Sequence, residues 1–197
     1  MSHYVFIHGA NSSTNSFNYI ISQLQLKEKD YTRIDYSSTD GFYDNLDKML
    51  ETVKNIKNPY IVSHSLGGIY GIHLTKYIKC LGGVSIATPH NGSSLADWLK
   101  FMNPKSKLLH DIGTNGLPIL TAKSISLDIP WVQVVTRSGR VPWMIPDNDG
   151  VVTIRSQKVR NDINYVELPY NHFEIMCVPE TVTLIKEFKH FIEQKGQ

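Results

Sequence analysis

Residues 60–71 read Tyr-Ile-Val-Ser-His-Ser-Leu-Gly-Gly-Ile-Tyr-Gly, and this stretch decides the fold. The apolar run Tyr60–Val62 predicts a strand, and Leu66–Ile78 predicts a helix directly behind it. A serine on the tight turn between them, here Ser65, presents its hydroxyl at the carboxyl end of a sheet. Such a turn needs small residues two positions before and after the serine, and Gly67 supplies the second. The stretch therefore predicts a strand, a sharp turn with an outward-facing serine, and a helix.

The same alternation of strands and helices continues on both sides of this stretch. Short apolar runs predict further strands at Tyr4–Ile7, Tyr31–Tyr36, Leu81–Ile86, Trp131–Thr136 and Ile163–Leu168. Helical patterns and capping residues predict helices at Ser16–Gln25, Gly41–Ile56 (capped by Asp40), Ser94–Phe101 and Thr181–Glu193. The stretch from Met102 to Pro130 has no clear period. The predicted fold class is α/β, a mainly parallel, doubly wound sheet with helices on both faces.

The composition is that of one globular domain. The chain has 197 residues, of which 41% are hydrophobic and 19% are charged, so we expect a single domain over 1–197. A small cap or irregular insertion is expected at about 102–130. Lys plus Arg number 20 and Asp plus Glu number 18, and the net charge of +2 argues against a nucleic-acid partner.

The sequence also predicts a cytoplasmic protein without a stable membrane span. No segment reaches the roughly 18 apolar residues of a membrane helix. The apolar stretch near the N-terminus is too short for a signal peptide and is followed by a turn.

Neither a disulfide framework nor a metal site is expected. Cys80 and Cys177 are too few and too far apart for either, and we expect ordinary buried thiols. The segment 146–152 resembles part of a calcium loop. However, Ile145 and Ser156 stand where the first and twelfth ligands would be needed.

A nucleophilic serine needs a base and a group that orients the base. The loop after the strand at 131–136 carries two carboxylates. Asp149, directly before Gly-Val-Val, is the preferred orienting group, and Asp147 is the alternative. His172 lies in the loop after the last predicted strand, from which a base reaches across to Ser65. Each of these residues follows a different strand, so a parallel sheet would bring them together at one edge.

A second turn, His8-Gly9-Ala10-Asn11, directly follows the first strand. This turn can aim the N–H of Ala10 at the same point as the N–H of Leu66, which would give two donors to a developing oxyanion. His64 is too constrained beside the serine to act as the base, and we expect it to pack or bond locally.

With these motifs in view, the sequence resembles the α/β-hydrolases of the lipase/esterase kind. The similarity covers most of the chain, and Thr-Pro-His-Asn-Gly-Ser at 88–93 resembles bacterial triacylglycerol lipases and inositol-deacylase-like proteins. The sequence departs from the family at Ser63, where glycine is commoner. It begins at the strand before the oxyanion turn, as in minimal lipases with a sheet of about six strands. The resemblance implies hydrolysis of carboxylic esters without a cofactor, a triad of Ser65, Asp149 and His172, and oxyanion donors at Ala10 and Leu66.

The substrate implied is a small-molecule ester with a hydrophobic acyl part. Trp143 and Met144, in an apolar loop just before the acid, are candidate substrate contacts. Apolar residues that form a cap or simply cover the sheet are Leu108, Leu109, Leu117, Ile119 and Leu120. Two alternatives stay open: a thioesterase or other acyl hydrolase with the same triad, and a non-catalytic ligand-binding protein on a hydrolase fold.

Overall fold

A six-stranded sheet forms the centre of the molecule in this computed structural model, which describes residues 2–93, 107–139 and 147–195. The strands are β1 (Tyr4–Ile7), β2 (Tyr31–Ile34), β3 (Tyr60–His64), β4 (Gly82–Ile86), β5 (Trp131–Thr136) and β6 (Asn164–Leu168). They are hydrogen-bonded in the order β2-β1-β3-β4-β5-β6. Every neighbouring pair is parallel. The predicted parallel sheet is confirmed.

Helices connect these strands. They are α1 (Asn18–Gln23), α2 (Phe42–Val53), α3 (Leu66–Leu74), α4 (Lys107–Asp111), α5 (Leu117–Ser124), α6 (Ile154–Gln157) and α7 (Pro179–Lys195). Short 3-10 helices lie at Thr14–Phe17, Glu28–Asp30 and Glu174–Cys177. The helix predicted at 94–101 lies outside the described residues.

Helices cover both faces of the sheet, as the sequence predicts. Val5 and Ile7 of β1 pack with residues of α2, α3 and α5, whereas Tyr4 and Phe6 pack with residues of α1 and α7. Successive side chains of a strand point to opposite faces, so a strand covered on both faces is apolar throughout. This arrangement leaves the carboxyl ends of the strands as the place where loops can build a site.

The stretch after the undescribed segment folds against the sheet. Leu108 and Ile119 belong to the core under α4 and α5, whereas Leu117 and Leu120 are exposed. The helices α4 and α5 correct the expectation of a stretch without regular structure. A cap or insertion at about 102–130 stays a prediction.

The cap of α2 also differs from the expectation. The N–H of Phe42 donates to Asp111 Oδ2 at 2.8 Å, so a residue at the end of α4 accepts from the first N–H of α2. Asp40 instead forms an exposed ion pair with Lys48. The prediction that Asp40 caps this helix is therefore wrong.

Within the three described ranges, no helix combines the length and the apolar character that crossing a membrane requires. The same residues contain no group of three or more His, Cys, Asp or Glu side chains placed to hold a metal ion.

Candidate active site

The turn between β3 and α3 holds Ser65 in an uncommon backbone conformation. Its φ of 52° and ψ of −124° lie where residues other than glycine are rarely found. The first turn of α3, which follows Ser65, packs closely against the end of β1. A Cβ on Gly67 would lie 2.2 Å from the carbonyl oxygen of Ile7 and 2.6 Å from that of His8. Only glycine allows this approach, which presses the serine turn against the loop that follows β1.

A buried histidine–carboxylate pair lies at the same edge of the sheet. His172 Nδ1 is 2.8 Å from Asp149 Oδ2, and the N–H of His172 donates to the carbonyl oxygen of Asp149 at 3.0 Å. Both residues are buried, whereas Asp147 is exposed. Of the two predicted carboxylates, the structure brings Asp149 to His172.

The two oxygens of Asp149 have different partners. Oδ1 accepts from the N–H groups of Val151 and Val152 at 2.9 and 2.7 Å. Oδ2, which faces the histidine, also accepts from the hydroxyl of Thr136 and from Gln157 Nε2. Oδ1 therefore holds the backbone of the Val151–Val152 loop, and Oδ2 holds the imidazole of His172.

These hydrogen bonds stabilise the ionised form of the carboxylate. Burial alone would raise the pKa of Asp149, but the bonds from His172, Thr136 and the backbone of Val152 outweigh it. The pKa of Asp149 is therefore lowered, and the group is ionised at neutral pH.

The sequence analysis missed Thr136 and Gln157. Thr136 is the last residue of β5 and is fully buried, and a polar residue at the carboxyl end of a mainly apolar strand is a usable signal. Gln157 lies in α6 and carries no comparable signal in the sequence.

The turn after β1 is fixed by its own histidine. The N–H of Tyr36 donates to His8 Nε2 at 3.3 Å, which places the imidazole proton on Nδ1, and Nδ1 donates to the carbonyl oxygen of Gly9 at 2.7 Å. Burial lowers the pKa of His8, in keeping with this neutral form. A Cβ on Gly9 would lie 3.0 Å from Ser65 Cβ. The turn that carries Ala10 is therefore packed directly on the serine turn.

The serine turn, the turn after β1 and the histidine of the pair border one cavity of about 510 Å³. Its lining includes Ala10, Ser65, Leu66 and His172. Leu66 is the first residue of α3, so its N–H has no acceptor within the helix and is free for an incoming group. The structure thus brings a serine, a histidine–carboxylate pair and two candidate N–H donors to one cavity.

The rest of the cavity wall is mainly apolar. It includes Val151, Val152, Phe173 and Met176, and Phe173 is 69% exposed at the surface. Such a lining fits an apolar group of a ligand. The predicted contacts Trp143 and Met144 lie outside the described residues.

Cys177, the last residue of the 3-10 helix that follows the His172 loop, also lines this cavity and is exposed. The prediction of a buried thiol is wrong for Cys177 and correct for Cys80.

A wider groove of about 720 Å³ lies beside β5, β6 and α7. Its lining includes Val132, Val166, Leu184 and Phe188. Neither the serine nor the histidine–carboxylate pair lines it, so the smaller cavity is the candidate site.

No protein-family model matches the sequence, and no curated protein resembles it significantly. Solved structures do resemble it. The lipase BlEst2 of Bacillus licheniformis in its propeptide form has a TM-score of 0.72 and 18% identity over 95% of this chain and 50% of that one. A phospholipase PlaB structure from Legionella pneumophila has a TM-score of 0.73 and 12% identity over 98% of this chain and 61% of that one.

A structure described with the metagenome-derived lipolytic enzymes LipS and LipT has a TM-score of 0.67 and 11% identity, over 98% of this chain and 93% of that one. The chain spans 46% of a further PlaB chain and half of the BlEst2 propeptide form. At these identities the likeness concerns the fold: the chain has the α/β-hydrolase fold of lipases and esterases that the sequence predicts.

Proposed function

We propose that this protein is a serine hydrolase that cleaves carboxylic esters through an acyl-enzyme on Ser65. The observation that carries the proposal is the buried bond of 2.8 Å between His172 Nδ1 and Asp149 Oδ2, on a cavity that Ser65 also lines. With Nδ1 occupied by the carboxylate, Nε2 is the nitrogen that can take a proton from the serine.

The proposed reaction has two halves. The oxygen of Ser65 attacks the ester carbonyl while its proton passes to His172, which Asp149 stabilises as an imidazolium. The N–H groups of Ala10 and Leu66 stabilise the oxyanion of the tetrahedral intermediate. The histidine then gives its proton to the departing alcohol. A water attacks the acyl-enzyme with help from the same histidine, which releases the acid and restores the serine.

The proposed substrate is a small-molecule ester with a hydrophobic acyl part, of short or medium length. The apolar wall of Val151, Val152, Phe173 and Met176 supports this choice. We propose Trp143 and Met144 as further substrate contacts. A single domain over 1–197, a cytoplasmic location and activity without a cofactor or metal complete the proposal.

The test is hydrolysis of p-nitrophenyl esters of increasing acyl length by the wild type and by Ser65→Ala. We expect serine-dependent turnover with an optimum at short or medium length, and none in the variant, because the nucleophile is gone. A folded Ser65→Ala protein that keeps the wild-type rate would contradict the proposal.

A fluorophosphonate probe supplies a second measurement that needs no correct ester. Labelling of the wild type and not of Ser65→Ala supports an activated serine. A wild type that neither labels nor hydrolyses any ester or thioester favours the ligand-binding alternative. Turnover of thioesters alone favours the thioesterase.

A further inference from the structure

His64 directly precedes the proposed nucleophile and contacts the proposed base, yet the proposed proton transfers do not use it. The residue is the last of β3, directly before Ser65, and its side chain is buried. His64 Nε2 lies 2.9 Å from the carbonyl oxygen of His172. Because a carbonyl oxygen only accepts, the imidazole proton of His64 sits on Nε2 and is donated to that oxygen.

This bond completes the support of the His172 backbone. The N–H of His172 donates to the carbonyl oxygen of Asp149, and the next peptide is held at its other end, where the N–H of Phe173 donates to Asn171 Oδ1 at 2.9 Å. The bond from His64 holds the oxygen of that same peptide. The Cα–Cβ direction of His172 is thereby fixed on both sides, while Asp149 fixes the rotation of the ring.

His64 has a single proton to give. Burial, followed by the nearby His172, lowers the pKa of His64 to about 3, so the ring is neutral at neutral pH. The other ring nitrogen, Nδ1, is buried without a hydrogen-bond partner. It faces Gly9, where a Cβ would lie 3.3 Å away. An apolar ring of similar size would fill the same space without burying an unpaired nitrogen. What His64 adds over such a ring is the hydrogen bond from Nε2.

We propose that His64 is a positioning residue, which acts on the reaction by holding the backbone of His172 so that its imidazole points at Ser65. This inference rests on the proposed function, in which His172 is the base. His64 then has a role in holding the backbone of His172, in addition to packing in the serine turn.

The test compares replacements that keep or remove the donor. Gln at position 64 places an amide N–H near the position of Nε2, whereas Phe keeps the ring without a donor. We expect His64→Phe to lower kcat on p-nitrophenyl esters about 100-fold, the loss that a displacement of about 1 Å produces. We expect KM to stay within about threefold, and His64→Gln to recover most of kcat.

His73 offers a matched control. It is equally buried, and its Nε2 lies 2.9 Å from the carbonyl oxygen of Pro118, away from the cavity. His73→Phe therefore removes a bond of the same kind and should lower the melting temperature while leaving kcat unchanged. If His64→Phe loses no more kcat than His73→Phe, or if His64→Gln is as slow as His64→Phe, the inference is wrong.

A second readout needs no turnover, so it separates this inference from the proposed function. The proton shared by His172 Nδ1 and Asp149 should give a low-field proton NMR resonance, assigned by its loss in His172→Gln. We expect the resonance in the wild type, His64→Gln and His73→Phe, and its loss or displacement in His64→Phe. An unchanged resonance in folded His64→Phe overturns the inference even if no ester is a substrate.

If His64→Phe does not fold, His64→Asn replaces it, because the shorter amide does not reach the carbonyl oxygen of His172. The inference then requires that His64→Asn is slower than His64→Gln and has the altered resonance. Equal kcat and equal spectra for these two variants would overturn it.

Discussion

The division of tasks between the two oxygens of Asp149 makes its replacement by Asn informative. The amide oxygen can still accept from the loop N–H groups, but the amide NH₂ would face His172 Nδ1 in place of an acceptor. His172 would then carry its proton on Nε2, where it cannot accept one from Ser65. We expect Asp149→Asn to lower kcat by about 10⁴-fold with the fold retained, measured on the best p-nitrophenyl ester.

Asp147→Asn is the control for this prediction, because Asp147 is exposed and lies two residues away. Its kcat should stay close to that of the wild type. A slow Asp147→Asn beside a normal Asp149→Asn would transfer the orienting role to Asp147.

Replacement of Thr136 tests a second hydrogen bond to the carboxylate of Asp149. Thr136→Val keeps the shape of the side chain and removes the hydroxyl that donates to Asp149 Oδ2. We expect a loss of about 2 kcal/mol in the free energy of unfolding, as for a hydrogen bond to a charged group. Because this oxygen also faces His172, kcat should fall about tenfold in the ester assay.

Thr181→Val separates the two effects. Thr181 is also fully buried, and its hydroxyl donates to the carbonyl oxygen of Ile175 at 2.8 Å. This variant should lose stability and keep kcat. Equal kcat in the two valine variants would mean that Thr136 contributes to the fold alone.

At the scale of the elements, the close approach of α3 to β1 depends on Gly67. In Gly67→Ala the new methyl group would meet backbone oxygens of β1 and its loop, which cannot move aside as a flexible side chain can. We expect a loss of more than about 3 kcal/mol in the free energy of unfolding, or no folded protein, measured by urea denaturation.

Gly71→Ala, on the same helix, is the matched control. Its added Cβ would lie 3.2 Å from a side-chain methyl of Ile61 and 3.4 Å from the Trp131 ring, which small shifts can relieve. Similar stability of the two alanine variants would show that α3 can move away from β1.

The sequence predicts best those strands that are buried on both faces of the sheet. The strands β1 and β5 agree with the prediction to the residue, because a strand buried on both faces is mainly apolar along its whole length. The sequence does not predict the helices α4 and α5: α4 has only five residues, and exposed Leu117 and Leu120 obscure the amphipathic period of α5. The cap of α2 by Asp111 depends on a contact between distant segments, which local sequence does not encode.

The same distinction holds for the candidate site. Ser65, Asp149 and His172 could be proposed from sequence because each lies in a connection that follows a different recognisable strand. The contacts of Gln157 with Asp149, and of His64 with His172, depend on how the loops fold onto one another. Their residue types alone do not indicate these partners.

At the scale of the whole molecule, buried neutral histidines should make stability depend on pH. Burial lowers the pKa of both His64 and His90 to about 3. In the unfolded chain a histidine binds a proton below about pH 6.5. Between these values the unfolded state binds more protons, so the free energy of unfolding falls as the pH is lowered. Each histidine contributes up to about 1.4 kcal/mol per pH unit.

Urea denaturation between pH 8 and pH 5 checks this prediction. The free energy of unfolding should be steady above about pH 7 and decline below about pH 6.5. His90→Gln should reduce the slope, because it removes one of these buried rings. A stability that is the same at pH 7 and pH 5 would contradict the burial of these rings in the neutral form.

The loops that meet at the cavity follow β1, β3, β4, β5 and β6, so the site draws on both halves of the chain. During translation, a nascent chain that has completed α3 already contains Ser65, but neither Asp149 nor His172 has been synthesised. The proposed nucleophile therefore leaves the ribosome without its base. Ester cleavage and acylation of Ser65 would therefore have to wait until β6 joins the sheet and the loop after it brings in His172.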